Sequence, residues 1–305
     1  MLMTANDFIA RSCPICDCSD HEVEVASKRP AESLGFEELR QYWATFADEK
    51  VFFSYVRCRN CRLLFTPQFF SDRQLELLYA ALPPNMGAAG VDAIDATQRG
   101  YFESATNGVD LSGGYLEIGP DVGHIARHAA GSGKFDRFWL FEPNEAVHPQ
   151  LSAAAGQYPH HVSAGMTDLS AVPDGTVGLA VMVHVLDHLV DPGALLAQIQ
   201  AKLRPGGRLM TVTHNEQSLL RRLLGRRWPP FCLQHPELYN PDSIAKLLNR
   251  YGFEDVQVKR SVNHFPLRFL GQYAAQTLGV KLKRVPLPDI SVGLKLGNIL
   301  TLSRR

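Results

Sequence analysis

From residue 114 onward, short apolar runs alternate with patterns of helical period, and this alternation restricts the possible folds more than any other feature. The runs 114–119 (GYLEIG), 137–142 (RFWLFE) and 177–186 (VGLAVMVHVL) have the length and composition of strands. Helical patterns lie between and after them, for example over 191–203 and 240–253. Strands that alternate with helices form parallel sheets with right-handed crossovers. The sequence therefore predicts an α/β protein with a doubly wound sheet.

Bulk composition is that of an ordinary globular protein of 305 residues, 45% hydrophobic and 20% charged. Lys and Arg together number 31, as do Asp and Glu, so there is no overall positive charge to favour nucleic acid. No run approaches the roughly 18 apolar residues of a membrane span, and the first residues lack the apolar core of a secretory signal. We expect a cytoplasmic protein without a membrane span; the sequence does not specify an oligomeric state.

Five of the six cysteines lie within the first 61 residues, and four of them form two Cys-x-x-Cys pairs. The pairs are Cys13 with Cys16 and Cys58 with Cys61. Each pair presents two thiolates from one tight turn, and two such pairs make a tetrahedral site for Zn²⁺. A site closed by four cysteines has no open coordination position, so we expect this zinc to be structural.

Other interpretations of the cysteines remain open. A disulfide pair is disfavoured in the cytoplasm, and an iron ion of the rubredoxin type is a further alternative. Cys18 and His21 are near enough in sequence to replace a ligand. The aromatic residues between the pairs, around a predicted helix over 37–46, either line a substrate surface or form the core of a small domain. Cys232 stands among apolar residues and is interpreted as an ordinary core cysteine.

A segment rich in helix breakers, 83–90 (PPNMGAAG), separates the cysteine-containing region from the alternating region. We therefore predict a zinc-ribbon-like domain over 1–82, a linker over 83–95 and an α/β domain over 96–305.

The segment 115–130 (YLEIGPDVGHIARHAA) has the pattern of a strand, a turn with two glycines and a helix. Gly119 and Gly123 allow the backbone to pass close to a ligand at the carboxyl end of a strand, although Asp121 stands where such loops usually have a middle glycine. Glu142 ends the next strand, where an acid binds ribose hydroxyls in this architecture. Taken alone, glycine after a strand is common, and the alternative interpretation of Glu142 is a solvent-exposed acid before Pro143.

Three segments together resemble class I S-adenosylmethionine-dependent methyltransferases. They are 115–123 (YLEIGPDVG), 138–144 (FWLFEPN) and 180–213 (AVMVHVLDHLVDPGALLAQIQAKLRPGGRLMTVT). Family members typically read LEIGCGTG in the first and hVLEHLxDP followed by LkPGGxL in the third. The resemblance covers about 96–305 and implies a Rossmann-like, doubly wound, seven-stranded sheet. The departures are Asp121 and Gly178, the latter where members often carry an acid.

The resemblance implies that S-adenosylmethionine is the cofactor and that residues after the first four strands of this domain bind it. The implied cofactor residues are Glu117, Gly119, Asp121 and Gly123 around the methionine moiety, Glu142 at the ribose, Pro143, Asn144, Met166 and Thr167 around the adenine, and His184 beside the sulfonium. Asp187 and His188, which begin the next helix, are interpreted as structural.

Methyl transfer from a sulfonium requires mainly alignment and desolvation, but an oxygen nucleophile often needs a general base. Histidine suits that role near neutral pH. The candidate catalytic residues are His184, His214 and His235. Each of them could instead be a hydrogen-bonded core or loop histidine.

Three functions are compatible with these features. The leading interpretation is a methyltransferase for a small molecule or saccharide, in a polysaccharide, lipid-linked sugar or natural-product pathway, as the resemblance and the N-terminal zinc ribbon imply. The second is a zinc-ribbon RNA methyltransferase, which the basic segment 219–228 favours and the zero net charge disfavours. The third is a non-catalytic module with this fold, supported only by Asp121 and Gly178.

Overall fold

A computed structural model describes residues 8–43, 50–80, 90–277, 288 and 290–305. The strands are β1 (Ile9–Ala10), β2 (His21–Val25), β3 (Tyr55–Cys58), β4 (Leu64–Phe65), β5 (Gln68–Phe69), β6 (Gly114–Ile118), β7 (Arg137–Phe141), β8 (His160–Ser163), β9 (Val177–Val183), β10 (Leu203–His214), β11 (Glu237–Leu238), β12 (Glu254–Arg260), β13 (Asn263–Pro266), β14 (Ser291–Leu294) and β15 (Asn298–Arg304).

The helices alternate with these strands over most of the C-terminal two thirds. They are α1 (Phe36–Leu39), α2 (Asp72–Ala80), α3 (Val91–Thr106), α4 (His124–Gly131), α5 (His148–Ala155), α6 (Pro192–Lys202), α7 (Leu219–Leu224), α8 (Pro241–Arg250) and α9 (Leu267–Thr277). Among the residues described, no helix is both long and apolar enough to cross a membrane.

A seven-stranded sheet in the order β12-β15-β10-β9-β6-β7-β8 forms the centre of the C-terminal region. The five strands from β10 to β8 are parallel, and β15 runs antiparallel to both of its neighbours. Helices cover both faces, so the predicted doubly wound sheet is confirmed. The long apolar run of β9 follows from this arrangement: Leu179 and Val181 pack into one core, and Ala180 and Met182 into the other.

Strand β9 ends at Val183, three residues before the end of the predicted strand. His184 has a φ of +52°, which turns the chain out of the extended conformation, and a single 3-10 turn, Leu186–His188, follows. The backbone N–H of His184 still donates to Val212 O on β10 at 2.8 Å. This turn places a polar loop directly at the carboxyl end of the central strand.

The N-terminal region shares a sheet with the C-terminal region. The four-stranded sheet β11-β4-β3-β2 takes its edge strand β11 from between α7 and α8, and Leu238 and Glu237 pair with Leu64 and Phe65. The domain division stays a prediction. Residues 81–89 of the predicted linker lie outside the described part of the chain, and α3 begins at Val91, before the predicted domain start.

Two buried ion pairs join the regions beside this sheet. The Arg57 guanidinium contacts Glu216 at 2.8 and 3.1 Å, and Arg11 contacts Glu237 at 2.7 Å, with all four side chains nearly excluded from solvent. An unpaired charge in such a place would be costly, so each pair fixes the relative position of its two segments.

Aromatic residues of the N-terminal region mostly form its core. Phe52, Phe53 and Tyr55 are almost fully buried, and Trp43 packs edge-on against Phe70. Of the predicted helix over 37–46, the structure shows α1 and the 3-10 turn Arg40–Tyr42, whereas 44–46 lie outside the described residues. The packing therefore favours the interpretation of these aromatics as a domain core over that of a substrate surface.

Candidate active site and metal centre

The two Cys-x-x-Cys pairs meet in space, as the sequence predicts. Sγ of Cys13 lies 3.3 Å from Sγ of Cys61, and Sγ of Cys16 lies 3.6 Å from Sγ of Cys58. All four sulfur atoms lie within 4.8 Å of one another. Bonds of about 2.3 Å to a tetrahedral zinc ion imply sulfur separations of about 3.8 Å. The cluster therefore fits a Zn²⁺ ion, and the donor set is that of a structural site.

The two pairs have the same backbone geometry. Asp17 and Arg62, which each follow the second cysteine, have φ values of +56° and +68°. Their N–H groups donate to the carbonyls of Cys13 and Cys58 at 2.8 and 3.1 Å. This repeated turn is what points both thiols of a pair to the same side.

The alternative ligands lie outside the cluster. Cys18 Sγ contacts Asp20 O at 3.7 Å, and the His21 ring packs on Phe65. No disulfide joins any of the six cysteines in this structure.

The predicted cofactor loop follows β6 and is shaped by residues with positive φ. Gly119 has a φ of +68°, and a Cβ there would lie 2.6 Å from Val185 Cγ2. Gly123 has a φ of +76°, and its Cβ would lie 2.9 Å from Leu151. Asp121, at the position of the missing glycine, adopts a φ of +50°. Asp is one of the few residues that tolerate this conformation, so the loop keeps its shape without the middle glycine.

Glu142, at the end of β7, anchors the loop. Its carboxylate accepts from the N–H of Asp121 at 3.0 Å and from the N–H of Asn144 at 2.9 Å. Burial, then the nearby Glu142 carboxylate, raises the pKa of Asp121 to about 6, and burial raises that of Glu142. The two acids thus lie close together at the edge of the sheet, with spare oxygen lone pairs for hydroxyl or ammonium groups of a ligand.

Gly178, the second departure from the family pattern, has a packing explanation. A Cβ at this position would lie 2.4 Å from Leu111 O and 2.6 Å from Ser112 O. The backbone that leads into β6 therefore occupies the space of a side chain. This departure lies at the start of β9, at the end of the sheet opposite the loop, and it removes no group from the candidate site.

Other predicted cofactor residues lie along the same edge, while Glu117 lies deeper. Glu117 is buried and accepts from Tyr115 OH at 2.6 Å, and burial raises its pKa to about 8. Asn144 caps the turn after β7, and Met166 and Thr167 lie in the loop after β8, where Thr167 O accepts from Gln198. Pro143 lies between Glu142 and Asn144. The cofactor roles of these residues stay predictions.

Of the three predicted catalytic histidines, His184 and His214 face Asp187, which is fully buried, and His235 packs on His214. His214 Nδ1 lies 2.5 Å from Asp187 Oδ2, and the His214 backbone N–H donates to the same oxygen at 3.2 Å. His184 Nδ1 lies 3.9 Å from that oxygen. The rings of His184 and His214 are 4.5 Å apart, and those of His214 and His235 are 4.8 Å apart. Asp187 therefore holds His214 in place and lies beside His184; whether it has a role beyond structure stays a prediction.

These groups differ in their electrostatic state. Burial opposes ionisation of Asp187, yet the facing histidines hold its pKa well below the ordinary value. Burial lowers the pKa of His214 to about 4 despite the carboxylate, so its ring is neutral at physiological pH. A neutral imidazole held through Nδ1 by a carboxylate has its other nitrogen available as an acceptor.

His235 is bonded within the protein through both ring nitrogens. Nδ1 contacts Pro230 O at 2.8 Å and Cys232 Sγ at 3.3 Å, and Nε2 lies 3.2 Å from Nε2 of His188. His188 in turn contacts Tyr79 OH at 3.2 Å. Among the described residues, no hydrogen bond involves His214 Nε2, so His214 is better placed than His235 to accept a proton. The choice of a general base remains a prediction.

Comparison with known proteins decides the family. A family model described as a methyltransferase domain matches residues 95–258, more than half of the chain. The chain belongs to this methyltransferase family. It is an S-adenosylmethionine-dependent methyltransferase, as the sequence motifs predict, and its glycine loop and acidic strand end fit that cofactor. No curated protein matches the chain.

Solved structures share the fold at low sequence identity. The methyltransferase crystallised with the Trm112 methyltransferase activator of Haloferax volcanii is similar to this chain with 13% identity and a TM-score of 0.51, over 70% of this chain and 92% of that one. An S-adenosylmethionine-dependent methyltransferase from Archaeoglobus fulgidus has 16% identity and a TM-score of 0.46, over 70% of this chain and 94% of that one. One from Mesorhizobium loti has 17% identity and a TM-score of 0.44, over 65% and 93%.

Proposed function

We propose that this methyltransferase acts on a small molecule or a saccharide and that its acceptor binds against His184, Asp187 and His214. The observation that carries the proposal is the packing of the N-terminal region beside this cluster. Tyr79, in α2 of the cysteine-containing region, bonds His188, and Tyr55 OH donates to His235 O at 2.7 Å. The His235 ring in turn lies 4.8 Å from the His214 ring, so the N-terminal region is in contact with residues that adjoin the cluster.

The position of the cluster relative to the cofactor loop supports a reactive role. Strands β6 and β9 are parallel neighbours, and the atoms that crowd Gly119 belong to Val185, the residue after His184. The proposed acceptor position at His184 therefore adjoins the loop that is expected to hold the methionine moiety. S-adenosylmethionine supplies an activated methyl group on sulfur, and the protein has to align the acceptor and exclude water.

Exposure of the cluster suits an acceptor that enters a recess. His184 and His214 retain 31% and 22% of their side-chain exposure, while Asp187 retains none. The partly exposed imidazoles of His184 and His214 can therefore hydrogen-bond a hydroxyl group of the acceptor. The rest of the acceptor would contact the neighbouring N-terminal region.

The alternative RNA acceptor has less support from charge. A cavity of about 390 Å³ at the junction of the two regions has both basic and acidic walls. Its charged residues are Arg57, Arg62, Arg221, Arg222, Lys246, Glu24, Glu216 and Asp242. Arg221 and Arg57 are already paired with Glu24 or Glu216. A groove that tracks a phosphate backbone needs a continuous excess of positive charge.

A labelled-methyl assay tests the acceptor class. Purified protein with tritiated S-adenosylmethionine is offered fractionated saccharides and small hydroxylated metabolites in one arm, and total RNA in the other. We expect label in the first arm, with a loss of at least tenfold in the His214→Gln variant and no loss in His161→Gln, which changes an exposed histidine on β8. Label that enters RNA instead, with an affinity that falls steeply with salt, would overturn the proposal.

A further inference from the structure

The histidine cluster has the composition of a second metal site, distinct from the four cysteines. His184, Asp187 and His214 each offer one ligand atom, and the three atoms lie within 4.8 Å of one another. Two imidazoles and one carboxylate form the set that binds divalent transition metals with coordination positions left open.

Two polar atoms at this place have no hydrogen-bond partner. His184 Nδ1, which lies 3.9 Å from Asp187 Oδ2, and Asp187 Oδ1 are buried and make no hydrogen bond in the described part of the chain. Buried nitrogen and oxygen atoms are nearly always paired, because an unpaired one loses its hydration without compensation. Both atoms belong to the same cluster, which points to a ligand between them.

The conformation of His184 is consistent with a ligand role. A φ of +52° is uncommon for histidine and carries strain that the surrounding structure has to hold. The amide nitrogen Nδ2 of Asn298 lies 3.1 Å from His184 Nε2. Rotation of the Asn298 amide by 180° would let its oxygen accept Nε2–H from the ring, and that tautomer leaves the Nδ1 lone pair free for a metal. Metal-bound histidines characteristically donate their other N–H in this way.

We propose that His184, Asp187 and His214 bind one divalent transition-metal ion, which holds the acceptor by two neighbouring oxygen atoms. Both histidines of the cluster are partly exposed to solvent, whereas Asp187 is buried. Three protein ligands leave room for a pair of adjacent hydroxyl or carbonyl oxygens. The acceptor part of this proposal rests on the proposed function, whereas the metal part does not.

Metal binding changes the bond between His214 and Asp187. The single N–H proton of the neutral His214 ring lies on Nδ1, 2.5 Å from Asp187 Oδ2. When both atoms become ligands, this proton moves by exchange with solvent to Nε2, so His214 then presents Nε2–H, a donor, to the acceptor. Metal ligation and a general-base role of His214 are therefore mutually exclusive, and a single measurement of metal binding separates them.

Calorimetric titration of zinc-replete protein with Ni²⁺ tests the site, with zinc counted before and after by mass spectrometry of the elements. We expect one Ni²⁺ per chain without loss of zinc. His184→Asn keeps a residue that tolerates positive φ and should weaken Ni²⁺ binding at least about tenfold. His161→Gln removes one of two adjacent exposed histidines on β8 and should leave the affinity unchanged.

The contrary outcomes are specific. An absence of Ni²⁺ binding overturns the metal site. Ni²⁺ binding that His161→Gln abolishes and His184→Asn does not also overturns it, and identifies an adventitious contact with the exposed histidines on β8. A cooperative denaturant transition and one retained zinc ion per chain confirm that His184→Asn is folded. Label in saccharide without Ni²⁺ binding would refute this inference alone, while Ni²⁺ binding without any saccharide acceptor would refute only the proposed function.

Discussion

Replacement of Gly119 by alanine tests the cofactor loop at its tightest point. Gly119 has a φ of +68°, and its N–H donates to Phe141 O at 2.8 Å, which fixes the loop to the neighbouring strand. An added Cβ would lie 2.6 Å from Val185 Cγ2, well inside van der Waals contact. The substitution therefore combines an unfavourable backbone conformation with an overlap against a β-branched side chain.

The magnitude follows from these two terms. A left-handed conformation costs a residue with a Cβ about 1–2 kcal/mol, and overpacking of a tight site costs about 1–3 kcal/mol. We expect Gly119→Ala to lower the free energy of unfolding by about 2–5 kcal/mol. If Val185 shifts to relieve the overlap, the adjacent His184 shifts with it. Affinity for S-adenosylmethionine or the rate of methyl transfer to the acceptor should therefore fall as well.

Chemical denaturation and calorimetric titration with S-adenosylmethionine measure the two effects. Gly100→Ala is the matched control, because Gly100 lies inside α3 and a Cβ there meets nothing within 4 Å. That variant should be more stable by roughly 0.5–1 kcal/mol and bind the cofactor normally. If Gly119→Ala matched the parent protein in stability and affinity, the loop would not have the close approach to β9 on which the site depends.

Three further predictions concern other parts of the molecule. Cys61→Ser should lose the structural zinc and lower the melting temperature, whereas Cys18→Ser, outside the cluster, should keep one zinc per chain by elemental analysis. Arg57→Ala leaves Glu216 buried and unpaired and should cost about 3–5 kcal/mol in denaturant unfolding, while Arg59→Ala, with exposed partners, should stay within roughly 0.5 kcal/mol. The pKa of Asp121 is raised from 3.8 to about 6 in the folded state, so between these pH values the folded protein keeps a proton on Asp121 that the unfolded chain has lost. The free energy of unfolding should therefore fall as the pH rises from about 4 to about 6. Asp121→Asn should flatten that part of the curve, and an unchanged slope would contradict the burial of this carboxyl.

The zinc site and the loop were accessible from the sequence because their signals are local. Cysteines two residues apart share one turn, and a turn of this kind works alike in almost any fold. The glycine loop likewise follows its strand directly, so Gly119 and Gly123 could be placed before the strands were arranged. The positive φ of Asp121 could be determined only from the structure, because the identity of a residue does not fix its backbone conformation.

The sequence by itself determined the alternation of strands and helices, the two cysteine pairs that suit a metal ion, and the family. Tertiary structure alone decided which side chains surround Asp187. Asp187 and His214 are 27 residues apart and meet only because β9 and β10 are parallel neighbours whose carboxyl ends share one edge. Strand β11 joins the cysteine-containing sheet for the same kind of reason, because backbone pairing between Leu238 and Leu64 depends on packing across the whole chain. Contacts between distant segments depend on how the sheets and helices pack together, and the residue pattern within one segment does not predict them.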